Sequence, residues 1–206
     1  MAYRETEKMR QRKALAREKI INCTYECVAE GGFRSARITR IAGLAEVATG
    51  TIYRHFESRE DLFAEVFQLA TQKEVDKVAE ALNTSGDAAA RLEAALRQFA
   101  GRALRGPVMA WSLLAEPVDP KVEEERLAYR KAYASLFEKT IREGITEGCF
   151  PDQNAQQSST CLVGAIAESL VGPLSLTQPN RENEDNDPLV DAIIRFCMQG
   201  LTGTRR

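Results

Sequence analysis

Apolar residues recur along this chain at intervals of three and four, and no sustained alternation bounded by turn residues interrupts them. That pattern predicts an all-α fold of about nine helices. The first runs over about residues 7–30, with Ala16, Ile20, Cys23, Cys27 and Val28 on one stripe, and Gly31-Gly32 stops it. Two short helices follow, over 38–45 and 49–55. "SRED" then offers Ser58 as an N-cap with Asp61 three residues on. The helix it opens runs to about residue 82, burying Leu62, Phe63, Val66, Phe67 and Ala70. "NTSGD" breaks the chain before a helix over 88–104 with Leu92, Leu96 and Phe99 inward. Gly106-Pro107 precedes a short apolar helix carrying Val108, Met109, Trp111, Leu113 and Leu114, which "EPVDP" ends. A long helix over 121–143 places Tyr129, Tyr133, Leu136, Phe137 and Ile141 on a common face, and "EGCFPDQ" turns the chain.

The last two helices differ from the others. Residues 154–176 include "CLVGAIAESLVGPL", in which Gly164, Ala165 and Ala167 thin one side. After the polar stretch "TQPNRENEDND", expected to be a mobile loop, Asp187-Pro188 reads as N-cap and first-turn proline of a final helix. That helix carries Leu189, Ile193, Ile194, Phe196, Cys197 and Leu201. An amphipathic helix needs one buried face, and here the apolar residues cover more. A second copy of the chain is the simplest partner, with Leu162, Gly164, Ile166, Leu170, Ile193 and Cys197 as interface candidates. Burial within one chain is the alternative.

Composition adds little by itself: 206 residues, 44% hydrophobic and 28% charged, an ordinary globular mix. No apolar run is long enough to span a bilayer and the N-terminus is charged, so a cytoplasmic protein with no membrane partner is expected. The five cysteines include no C-x-x-C, and Cys23 and Cys27, four apart on a helix, read as small core residues rather than a metal pair. Charge distribution is more telling. Residues 1–60 carry 12 basic and 8 acidic side chains, net +4, while the rest of the chain is net −6. A basic N-terminal module on an acidic body suits a DNA reader with a separate second domain. The division falls at residues 1–60 and 61–206.

Within the basic module, "RITRIAGLAEVATGTIYRHFESREDLF" joins two short helices by about three residues, the layout of a helix-turn-helix whose second helix enters the major groove. Ile41, Ala42, Ala45, Val47 and Ile52 are spaced to form its small core. Thr49, Gly50, Thr51, Tyr53, Arg54 and His55 are left to face outward.

This stretch resembles the DNA-binding domain of the tetracycline-repressor (TetR) family of bacterial regulators. The resemblance rests on Ile41-Ala42, Ala45, Val47, "GTIYRHF" from Gly50 to Phe56, "SREDL" from Ser58 to Leu62, and "AEGGF" from Ala29 to Phe33. It covers roughly the first 65 residues; beyond them only the helical layout matches. Two positions depart from the family pattern. Glu46 replaces a turn glycine, and a left-handed glutamate costs on the order of 1 kcal/mol. Ala48 replaces a serine N-cap, a loss of about 0.5–2 kcal/mol; Thr49 capping a shortened helix is the alternative.

The resemblance implies that Tyr53 and His55 contact phosphate, with Thr51 and Arg59, the latter at a helix start, as further contacts. Base reading would fall to Thr49, Gly50, Arg54, Thr39 and Arg40. Arg10, Arg12 and Lys13 would lie on an arm that reaches the DNA or is simply solvated. The resemblance also implies a helical ligand-binding and dimerisation domain. Its pocket candidates are Phe67, Met109, Trp111, Tyr129, Tyr133 and Phe137, which suit a small apolar or aromatic effector. The expected function is a ligand-responsive regulator, most simply a repressor, binding a palindromic double-stranded DNA operator as a homodimer. No cofactor or metal is expected. An enzyme is disfavoured: H-E-x-x-H, P-loop, G-x-G-x-x-G and G-x-S-x-G are all absent, and the single histidine has another use. A helical interaction adaptor without DNA binding is the other alternative, resting on Glu46 and Ala48.

Overall fold

The computed structural model of the chain describes residues 7–175 and 186–203. Among these residues there are nine helices and no strand: α1 (Glu7–Ser35), α2 (Ile38–Ala45), α3 (Thr49–His55), α4 (Arg59–Leu82), α5 (Ala88–Arg105), α6 (Pro107–Leu114), α7 (Pro120–Glu147), α8 (Ala155–Leu174) and α9 (Asp187–Thr202). Side-chain caps open the longer ones. Ser58 Oγ accepts from the Asp61 amide at 3.0 Å and donates to the Asp61 carboxylate at 2.9 Å. Asp87, Asp119 and Asn154 cap α5, α7 and α8 in the same way. Each satisfies one of the amides that a helix start leaves without a carbonyl partner.

Two hydrophobic cores divide the chain. The smaller joins α1, α2, α3 and the N-terminal half of α4 through Ile20, Val28, Ile41, Ile52, Leu62 and Phe67, and takes in Leu113 and Val122 from α6 and α7. The larger joins the C-terminal half of α4 to α5, α7, α8 and α9 through Val78, Leu92, Phe137, Leu170 and Ile194. α4 thus belongs to both cores, and α6 lies between α1 and α8. Lys121 pairs with Asp61, tying the start of α7 to the start of α4.

Several expectations change. The expected break at Gly31-Gly32 is present, since Gly32 leaves the helical backbone at φ 76°, ψ 175°, but a further helical turn to Ser35 follows it. Arg10, Arg12 and Lys13 lie on the exposed first turns of α1 rather than on an arm. Asn186, not Asp187, is the N-cap residue of α9, and its side chain makes no capping hydrogen bond. The expected loop over residues 177–187 falls mostly outside the described residues.

The interface candidates change most. Leu162, Ile166, Leu170, Ile193 and Cys197 are buried in the larger core of the single chain. They form the inner stripe of α8 and α9, which pack against each other and on α5. Gly164 alone of those six is exposed. The outer apolar surface of these helices is instead carried by Phe196, which is 67% exposed.

Candidate DNA-binding head and ligand cavity

The turn between α2 and α3 is built around Glu46. Its backbone is left-handed, at φ 56° and ψ 41°, and it is the only described non-glycine residue with positive φ. The Glu46 and Val47 amides donate to the carbonyls of Gly43 and Ala42 at 3.1 and 3.0 Å, closing α2. The Glu46 carboxylate pairs with Lys19 of α1, and that partner holds its pKa below the ordinary carboxylate value. Ala48 then takes the extended conformation of an N-cap with no side-chain acceptor to offer. Thr49 is therefore the first residue of α3, and does not cap it. Ile41, Ala42, Ala45 and Ile52 are buried beneath, as their spacing predicts. The two departures from the family pattern leave the helix-turn-helix intact, which removes the basis for the adaptor reading.

α3 presents Thr49, Gly50, Tyr53 and Arg54 to solvent, with Thr51 and His55 half-buried, and α2 exposes Thr39 and Arg40 beside them. Tyr53 is 49% exposed although its ring is largely apolar. A Cβ on Gly50 would meet nothing within 4 Å, so the fold itself does not require glycine there. Arg40 is paired with Glu30. Arg59 folds back, its guanidinium 4.5 Å from the Phe63 ring centroid and 3.4 Å from the Phe33 carbonyl. Each guanidinium uses one nitrogen in these hydrogen bonds and keeps further N–H donors.

The pKa of His55 is lowered by partial burial first, then by the charges of Arg17 and Lys13. It is a neutral imidazole near pH 7, able to donate one hydrogen bond. Arg17 was not a sequence candidate, yet it braces this corner. Its fork reaches Glu65 of α4 at 2.6 and 2.5 Å, and its guanidinium lies 4.8 Å from the Phe56 ring centroid.

A cavity of about 340 Å³ lies in the body, against the head core. Phe67, Met109, Tyr129, Tyr133 and Phe137 line it, with Leu113, Leu114 and Ile166 adding apolar wall. Trp111 is not on that wall: Met109, Ala110, Leu113 and Leu114 form the cavity stripe of α6, and Trp111 packs against the larger core. The wall also holds polar groups that spacing alone did not mark. Thr71 Oγ1 is buried without a hydrogen-bond partner. Arg102 forks onto Glu74 with two 2.6 Å bonds. Burial raises the pKa of the Tyr133 phenol, so it stays a hydrogen-bond donor. Arg126 is buried in the wall, and the exposed lining residues Arg105, Gly106 and Arg130 mark where the cavity meets solvent. Thr71 was detectable in principle, since it is the polar member of the buried stripe Phe67, Thr71, Val75 and Val78. Among the described residues no helix is long and apolar enough to cross a membrane, and no His, Cys, Asp and Glu cluster could hold a metal.

Residues 20–66 match the family model described as bacterial regulatory proteins, tetR family. Over 188 residues the chain is 24% identical to the fatty acid metabolism regulator protein of Bacillus subtilis, covering 89% of this chain and 94% of that one. It is 25% identical over 190 residues to the transcriptional activator FasR of Mycolicibacterium smegmatis, covering 90% and 83%. The fold matches the crystal structure of the Bacillus subtilis regulator FadR in complex with stearoyl-CoA at a TM-score of 0.73, with 20% identity over 89% of this chain and 98% of that one. Residues 20–66 therefore carry the signature of bacterial regulatory proteins of the tetR family, within a chain whose helical fold is that of the FadR structure.

Proposed function

We propose that this regulator is a repressor that binds a palindromic operator as a homodimer in the cytoplasm, has no enzymatic activity, and is released by a fatty acyl thioester. The observation that carries the effector class is the cavity. Its interior is aromatic and aliphatic, and Arg105 and Arg130 stand at its opening. That arrangement suits an amphiphile with an apolar chain inside and an anionic headgroup outside. The volume of about 340 Å³ lies within the roughly 300–1,000 Å³ of small-molecule sites. The stearoyl-CoA bound by the FadR structure is a molecule of that kind. This sharpens the expectation of a plain apolar or aromatic effector.

Two recognition helices must stand about 34 Å apart to enter successive major grooves on one face of DNA. The outer faces of α8 and α9, with Gly164 and Phe196 exposed, are the surfaces for pairing two copies. An effector favouring another head separation lowers operator affinity by its differential affinity for the two states. Thermal unfolding with added stearoyl-CoA tests the effector class. The wild type should be stabilised at micromolar ligand, and the double substitution Arg105→Glu with Arg130→Glu should abolish most of that shift. Equal shifts in both proteins would remove the anionic headgroup from the reading.

A further inference from the structure

The end of α1 is held by a carboxylate from the body. The Glu116 side chain, 3% exposed, accepts from the Phe33 amide at 2.9 Å and from the Arg34 amide at 2.9 Å. The positive φ of Gly32 turns these two amides toward one point. A Cβ on Gly32 would stand 2.8 Å from both Glu116 oxygens, so a larger residue would displace the carboxylate. Glu116 follows α6 directly, whereas α2 and α3 hang from the end of α1.

The main chain that carries Glu116 is itself held from the cavity wall. Arg126 of α7 donates from Nε to the Leu113 carbonyl at 3.0 Å, and from Nη2 to the carbonyls of Ser112 and Glu116 at 3.2 and 2.7 Å. Its Nη1 pairs with Glu123. The guanidinium lines the cavity, 5.9 Å from the ring centroid of Phe67, another wall residue. Arg130 stands one turn along α7, at the opening.

We propose that Arg126 and Glu116 are the coupling element that carries cavity occupancy to the DNA-binding head; this rests on the reading that the cavity takes an effector and the head takes an operator. A headgroup drawn in beside Arg130 competes for the Arg126 guanidinium against the carbonyls of Ser112, Leu113 and Glu116. The 112–116 segment then shifts and withdraws the Glu116 carboxylate from the Phe33 and Arg34 amides. The buried Phe33 amide cannot be left without an acceptor at low cost. The clamp is therefore either closed or replaced by another arrangement, which gives the two discrete states that coupling requires.

The test measures operator affinity with and without stearoyl-CoA, and stearoyl-CoA affinity separately, for the wild type and Glu116→Gln. It adds amide hydrogen exchange at Phe33 and Arg34. In the wild type, stearoyl-CoA should weaken operator binding on the order of tenfold and speed exchange at those two amides. In Glu116→Gln, stearoyl-CoA should bind at least as tightly as in the wild type, the operator ratio should fall to about one, and both amides should exchange rapidly with or without ligand. Full coupling in Glu116→Gln would overturn the proposal. So would Phe33 and Arg34 amides that stay protected in the ligand-bound wild type, a readout that needs no variant to fold. A wild type that ignores stearoyl-CoA is a different result: it defeats the functional reading itself, and the coupling with it.

Discussion

Arg17 and Glu65 form a two-bond fork across α1 and α4, at 2.6 and 2.5 Å, beside the C-terminal end of the recognition helix. Both side chains are partly exposed, at 42% and 31%, so solvent screening limits what the fork contributes to about 0.5–1 kcal/mol. Arg17 also covers the Phe56 ring and lowers the pKa of His55. Arg17→Ala is expected to cost about 1 kcal/mol of unfolding free energy and to raise the His55 pKa. Denaturant titration measures the first effect, and NMR titration of the single histidine measures the second.

A phosphate contact by His55 would give DNA binding a pH dependence whose sign is fixed by its surroundings. In the free protein its pKa lies below 6.5, because burial, Arg17 and Lys13 all disfavour the charged ring. A phosphate beside it in the complex would raise that pKa. Operator affinity is therefore flat well above the bound-state pKa, where His55 is neutral in both states. It tightens as pH falls through that value, and levels off below the free-state pKa. Anisotropy titrations between pH 5.5 and 8, on the order of the range where His titrates, should show this rise toward acid. His55→Gln should remove it.

Ala48 sits at an N-cap in the extended conformation with no side-chain acceptor, φ −68° and ψ 146°. Ala48→Ser supplies an oxygen for the Gly50 or Thr51 amide, and should stabilise the protein by about 1 kcal/mol. Glu46→Gly should also stabilise it, because relief of a left-handed glutamate, about 1 kcal/mol, exceeds the loss of an exposed ion pair with Lys19. Chemical denaturation checks both.

Thr71 places a hydroxyl in the cavity wall with no hydrogen-bond partner. An unsatisfied buried hydroxyl costs about 1–3 kcal/mol. Thr71→Val keeps the shape and should raise the stability of the ligand-free protein by about 1 kcal/mol. It should weaken binding of an effector that hydrogen-bonds there. If thermal unfolding and stearoyl-CoA titration move in the same direction, Thr71 Oγ1 does not serve the ligand.

Helical periodicity carried most of the fold. The boundaries of α2 and α3 follow from Ile38, Ala45, Thr49 and His55 as read, because the short-range spacing of apolar residues marks such helices even where no side chain caps them. The left-handed backbone at Glu46 was legible too, through the family resemblance. Other features were not. Leu162, Ile166, Leu170, Ile193 and Cys197 are apolar enough for an interface, but a one-dimensional pattern cannot say which of two apolar faces a monomer buries first. Trp111 was included with Met109 for its chemistry, although helical phase turns it off the cavity stripe. Glu116 and Arg126 were invisible. The carboxylate meets amides 82 and 83 positions earlier, and the guanidinium binds main-chain carbonyls, which have no residue identity to read.

Operator anisotropy under stearoyl-CoA titration tests the central claim most directly, with a labelled duplex from upstream of the gene for this chain. The account predicts tight binding of the dimer to the duplex, and loss of that binding as stearoyl-CoA fills the cavity. A CoA-only control should leave binding in place, since it puts no acyl chain inside. Binding that persists at saturating stearoyl-CoA, shown to be bound by its own thermal shift, would contradict it.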